Sequence, residues 1–141
     1  MSKYNTDKFR HITVALNTPF KKDGSVDVEA VKAVSRYFRD KGVKQMYVCG
    51  STGEGFLLDT EERMLVTETV VHEVGDDMNI IVHVGCPDTR HSCILAEHAE
   101  KVGAAATSAV PCVYYRPSEE SVYRHWTEIT EAADLPFFIY N

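Results

Sequence analysis

The chain has 141 residues and a formal charge of −6 at pH 7 with its six histidines neutral, a length that fits one modest domain. The acidic balance excludes a surface built to neutralise nucleic-acid phosphates or anionic lipid. With 44% hydrophobic and 26% charged residues the composition is that of a globular domain, not of a disordered or collagen-like chain, and no apolar run approaches the ~20 residues of a membrane span.

The first ten residues, Met1 to Arg10, hold no apolar signal core, so a cytosolic location is expected. Apolar, β-branched runs predict strands at 12–16, 46–49, 80–84, 106–110 and 137–140. They do not alternate with polar residues, so they are expected to be covered on both faces, the habit of parallel sheets. Four segments of helical period lie between them, striped by Val28, Val31 and Phe38, by Val66, Val70 and Val74, by Leu95, Ala99 and Val102, and by Val122, Trp126, Ile129 and Ala133. Asp59 with Glu62 forms a capping-box variant, and Asp88 and Ser118 are further N-caps. Gly42, Gly75 and Gly103 fall where a left-handed residue ends a helix. Asp134 to Pro136 closes the fourth helix.

The resulting βαβαβαβαβ order fits two architectures, a doubly wound open sheet or part of a (β/α)8 barrel, which needs ~250 residues in full. Cys49, Cys86, Cys93 and Cys112 show neither a CxxC pair nor a zinc spacing, so they are expected to be reduced and structural.

The second strand runs straight into Gly50-Ser51-Thr52-Gly53-Glu54-Gly55. Three glycines bring backbone amides close to a ligand, and Ser51 and Thr52 add hydroxyls, so the loop suits a carboxylate or phosphate. It is neither a P-loop nor a dinucleotide fingerprint. A plain Gly-rich turn with capping hydroxyls is the competing reading. His83, alone in an apolar strand, reads as a core histidine, and Glu54 as a cap or packing residue of its loop. The charges from Asp59 to Arg63 and at Glu119 and Glu120 read as solvated helix starts.

Thr18-Pro19-Phe20 with Asp23-Gly24, Gly50-Ser51-Thr52-Gly53-Glu54, and Tyr140-Asn141, in that order and spacing, resemble the class I aldolase family that includes N-acetylneuraminate lyase and dihydrodipicolinate synthase. The resemblance implies that the fold is α/β, the N-terminal part of a (β/α)8 TIM barrel, with strands one to five in residues 1–141 and the remainder outside this chain. It also implies that Gly50, Ser51 and Thr52 bind the carboxylate of a 2-oxo acid such as pyruvate. Ser51 would join a proton relay, and Tyr140 would shuttle the proton. Tyr114 would complete the relay from a neighbouring subunit of a homo-oligomer, a tetramer in the family. Arg116-Pro117 sets that register, although Pro111-Cys112 replaces the usual Thr-Pro and leaves Tyr115 as the alternative. No cofactor or metal is implied.

Tyr47 to Glu54, His83-Val84-Gly85-Cys86 and Ser108-Ala109-Val110 look more like the sialic acid lyases than the synthases. The family's imine-forming lysine lies on strand six, and none of Lys21, Lys22, Lys32, Lys41, Lys44 or Lys101 fits that role. This chain alone is therefore expected to be inactive. A non-catalytic 2-oxo acid binding module and a self-contained, anion-binding open sheet are the other readings.

Overall fold

Five short strands alternate with four helices in the computed structural model, which describes residues 3–111 and 114–140. The strands are β1 (Thr13–Ala15), β2 (Gln45–Val48), β3 (Asn79–His83), β4 (Ala106–Ala109) and β5 (Phe137–Ile139). The helices are α1 (Val28–Asp40), α2 (Thr60–Val74), α3 (Thr89–Lys101) and α4 (Glu119–Ala132). All neighbours pair in parallel, in the order β1-β2-β3-β4-β5. A doubly wound sheet would reverse its order at a switch point. Sequential order is that of consecutive barrel strands.

Side-chain parity divides the sheet into two faces. Met46 and Val48, Ile80 and Val82 point to the helices, where they pack with Val31, Val66, Val70, Leu95, Ala99 and Ile129. The register aligns Tyr47 with Ile81, His83 with Ser108 and Ser108 with Phe138 on the opposite, concave face. The middle strands are buried on both faces, as their unbroken apolar runs predict. The outer two are not. Thr13 and Ala15 are exposed, Ile139 is 59% exposed, and Ile12 lies outside β1 at 87% exposure. Among the described residues each outer strand has one sheet neighbour, so its other edge meets no ladder.

The helix starts follow local chemistry. The Asp59 carboxylate accepts from the Glu62 amide at 2.8 Å while the Asp59 amide donates to the Glu62 carboxylate at 3.1 Å, a complete capping box. Asp88 and Ser118 accept from the His91 and Ser121 amides, and Asp27 caps α1 in the same way. Gly42 and Gly103 take φ of +83° and +88°, the left-handed geometry expected of them. Gly75 does not. It stays right-handed at φ −64°, and a Cβ there would sit 2.5 Å from the Val71 carbonyl oxygen. Close approach is what that position requires.

A 3-10 helix, Asp7–Phe9, closes the amino-terminal end of the sheet. Phe9 is buried with its ring edge-on to Phe138 at 5.1 Å. Gln45 donates to Thr13 Oγ1 and to the Phe9 carbonyl, and Asn79 donates to the Lys8 carbonyl. Sequence periodicity gave no element here, because a lone phenylalanine in a polar stretch has no period. Cys49, Cys86 and Cys93 are free thiols; Cys112 and Asn141 lie outside the described residues. Among the described residues no helix is long and apolar enough to cross a membrane.

Candidate active site

The chain leaves β2 through Cys49, whose φ of 57° is left-handed and costs a non-glycine residue on the order of 1–3 kcal/mol. Gly50 follows and rests directly on the Tyr47 ring: a Cβ would lie 2.6 Å from Tyr47 Cε1. At Gly55 a Cβ would fall 1.8 Å from the Cys49 carbonyl oxygen. These glycines serve close approach, and neither has positive φ. The Gly55 amide donates to the Gly50 carbonyl at 3.0 Å, and the buried Thr18 hydroxyl donates to the Gly53 carbonyl at 2.7 Å. The loop is thus held at both ends, and Ser51 and Thr52 stand exposed at its tip. Among the described residues, neither their amides nor their hydroxyls are hydrogen-bonded. Four donors are left to face a ligand.

Tyr140 follows β5, with its amide donating to the Ala109 carbonyl at 3.1 Å. Its ring stands edge-on to Tyr47, 6.1 Å between centroids. Tyr47 therefore touches the loop through Gly50 and the phenol of strand five through this contact. With Thr13, Ala15, Gln45 and Ser108, these two tyrosines line a cavity of about 430 Å³ on the concave face. Burial raises the Tyr47 phenol pKa, against a smaller lowering from the Ser108 hydroxyl; the Tyr47 hydroxyl is buried without a hydrogen-bond partner among the described residues, and Ser108 donates to the Phe138 carbonyl.

Tyr114 is not brought to this cluster. It is 92% exposed, has φ of 75°, and packs edge-on against Tyr115 at 4.9 Å. Val113, beside it, lies outside the described residues. Lys21, Lys22, Lys41, Lys44 and Lys101 are exposed, Lys32 pairs with Glu29 at 2.8 Å, and none of them lines the cavity.

His83 is 2% exposed, between the rings of Tyr47 and Phe56. Burial, reinforced by the Arg63 cation, lowers its pKa to about 4. It is a neutral core histidine, as its setting in an apolar strand predicts.

Two expectations for nearby charges fail. Arg63 is not on a solvated helix start: it is 3% exposed. One guanidinium nitrogen donates to the His83 carbonyl at 2.6 Å and lies 3.4 Å from His83 Nδ1. The other donates to the Gly85 carbonyl at 3.0 Å and to Cys86 Sγ at 3.1 Å. Its position in the second turn of α2 points it at the sheet, where strand-end carbonyls take the place of water. Glu54 neither caps nor packs: it is exposed at φ 56°, and its carboxylate has no hydrogen-bond partner among the described residues. The left-handed turn carries the side chain out of the loop.

Sequence reasoning gave neither Tyr47 nor Arg63 a place in the site. Parity along β2 marks Tyr47 as inward-facing, a signal present in the sequence. No pattern marks Arg63, since a cation near a helix start is ordinarily solvated.

The profile of the dihydrodipicolinate synthetase family matches residues 8–141. A 4-hydroxy-tetrahydrodipicolinate synthase of Chlorobaculum parvum is 43% identical over 129 residues, 92% of this chain and 44% of the relative. An N-acetylneuraminate lyase of Mediterraneibacter gnavus is 36% identical over 138 residues, 97% of this chain and 44% of the relative. Among solved structures, a catalytic-lysine mutant of Ruminococcus gnavus sialic acid aldolase superposes with a TM-score of 0.94 at 36% identity, covering 97% of this chain and 45% of that one. The chain thus spans less than half the length of these relatives. Its five parallel strands are the N-terminal part of their TIM barrel, and the chain belongs to the dihydrodipicolinate synthetase family.

Proposed function

We propose that residues 1–141 form the N-terminal portion of a single (β/α)8 barrel enzyme, a class I aldolase that acts on 2-oxo acids through an imine. The observation that carries this reading is the shared contact at Tyr47. Ser51 and Thr52 present four unpaired donors on one side of it, and Tyr140 presents a phenol on the other. The donors suit the carboxylate of pyruvate or of a larger 2-oxo acid. A lysine outside this chain would condense with the ketone, losing water, and the protonated imine would take up the electron pair of the breaking carbon–carbon bond. Tyr140, with Ser51 in the relay, would accept the proton of the hydroxyl that becomes the aldehyde. Tyr114, or Tyr115, would reach a neighbouring subunit of a homotetramer; the exposure of both rings supports that assignment.

Within the family the reading is N-acetylneuraminate lyase, which cleaves sialic acid to pyruvate and N-acetylmannosamine. Its support is the lyase-like His83 to Cys86 segment and the sialic acid aldolase superposition. The 43% identity to a synthase favours a second reading, condensation of pyruvate in a dihydrodipicolinate synthase.

Borohydride reduction with pyruvate tests the proposal. A protein of the relatives' length that contains this segment should trap one pyruvate on a lysine outside residues 1–141, and the 141-residue chain should trap none. Tyr140→Phe should lower turnover roughly 10²–10⁴-fold, the usual loss of acid–base assistance, while trapping persists. A stoichiometric adduct on Lys21 or Lys22, or no adduct in the longer protein, overturns the reading. Pyruvate release from N-acetylneuraminate separates lyase from synthase.

A further inference from the structure

Among the described residues the buried guanidinium of Arg63 has no ion-pair partner, and its buried Nε has no hydrogen-bond acceptor. Burying an unpaired cation is unfavourable unless hydrogen bonds and geometry compensate. The compensation here is directional. The two terminal nitrogens fork across the end of β3, one on the His83 carbonyl at 2.6 Å and the other on the Gly85 carbonyl at 3.0 Å. The Arg63 carbonyl in turn accepts from the Cys49 thiol at 3.7 Å, at the left-handed residue from which the candidate loop departs. A continuous row follows. The His83 ring stands 5.5 Å from Phe56 of the loop and 6.2 Å from Tyr47; Tyr47 supports Gly50 and meets Tyr140 at 6.1 Å.

We propose that Arg63 is a positioning residue for the 2-oxo acid site: its fork across the His83 and Gly85 carbonyls fixes the His83–Tyr47–Tyr140 row on which the Ser51–Thr52 loop rests. The inference rests on the aldolase reading above and assigns Arg63 no contact with substrate. Its action depends on the planar two-nitrogen fork, which a lysine ammonium cannot reproduce although it keeps the charge.

Arg63→Lys in the relatives'-length enzyme tests this. Turnover should fall roughly 10²-fold, the loss expected from a misplacement of about 1 Å at a reacting group. In a Tyr140→Phe background the same change should lose only about twofold, because the two residues act as one unit. NMR signals of the Tyr140 ring should shift in Arg63→Lys, whereas a purely stabilising role would lower the unfolding temperature and leave them in place. Wild-type turnover in Arg63→Lys, or losses that multiply in the double variant, overturns the proposal. If Arg63→Lys does not fold, Tyr47→Leu removes the middle of the row without touching the fork and must show the same non-additivity with Tyr140→Phe. If the wild-type enzyme traps no 2-oxo acid, the aldolase reading fails on its own. The positioning role is then decided by the ring signals, and unmoved Tyr140 resonances in Arg63→Lys overturn it.

Discussion

His83 is almost sealed from water, with a guanidinium nitrogen 3.4 Å from Nδ1 and the Val110 amide 3.4 Å from Nε2. Both neighbours are donors, and a neutral ring can accept from one of them where a protonated ring accepts from neither. Its pKa of about 4 lies below the ordinary 6.5, so the unfolded chain binds the extra proton first. The stability it confers is complete above about pH 6.5 and is lost as pH falls toward 4, by about 3 kcal/mol in all. Urea midpoints measured between pH 7 and 4.5 should fall steadily, and His83→Gln should make that fall smaller. His98 and His125, whose pKa values burial also lowers, add to the fall in the same window, and the lowered carboxyls of Glu29, Asp23, Asp88 and Asp134 add to it from the acid end. The candidate site residues Ser51, Thr52 and Tyr140 are singled out by the sequence because loop chemistry and motif order mark them. The burial of Arg63 was not legible there, since the carbonyls that hold it lie twenty and more residues away, at and just beyond the end of β3.

Helix boundaries were the most legible elements, because their signals are local. The Asp59–Glu62 box needs only four residues, and both of its hydrogen bonds form. Asp59→Ala should therefore destabilise the fold by about 1 kcal/mol, read as a lower urea midpoint with unchanged slope. Asp59→Asn should recover most of it, since the cap needs an acceptor rather than a charge. Strand ends shifted by one residue in all five strands because an apolar run does not show where the ladder begins or ends. Gly75 shows the limit of position-based reading: a glycine after a helix can serve a left-handed turn or a close contact, and only the fold distinguishes them.

The sheet presents two outer strands with single partners, and Ile139 on β5 and Ile12 beside β1 are largely exposed. Unpaired edges with apolar side chains template further pairing. The 141-residue chain should associate with rising concentration in sedimentation, and Ile139→Lys should reduce that association. A monomer at all concentrations would show that these edges do not attract one another.

The sequential strand order also has a kinetic consequence. Every strand after β1 pairs with the one made just before it, so each pairing closes a loop of one helix and its turns. As the chain emerges amino end first from the ribosome, no strand among these residues waits for a distant partner. Each βα unit can dock on a sheet already begun, so folding here can keep pace with synthesis.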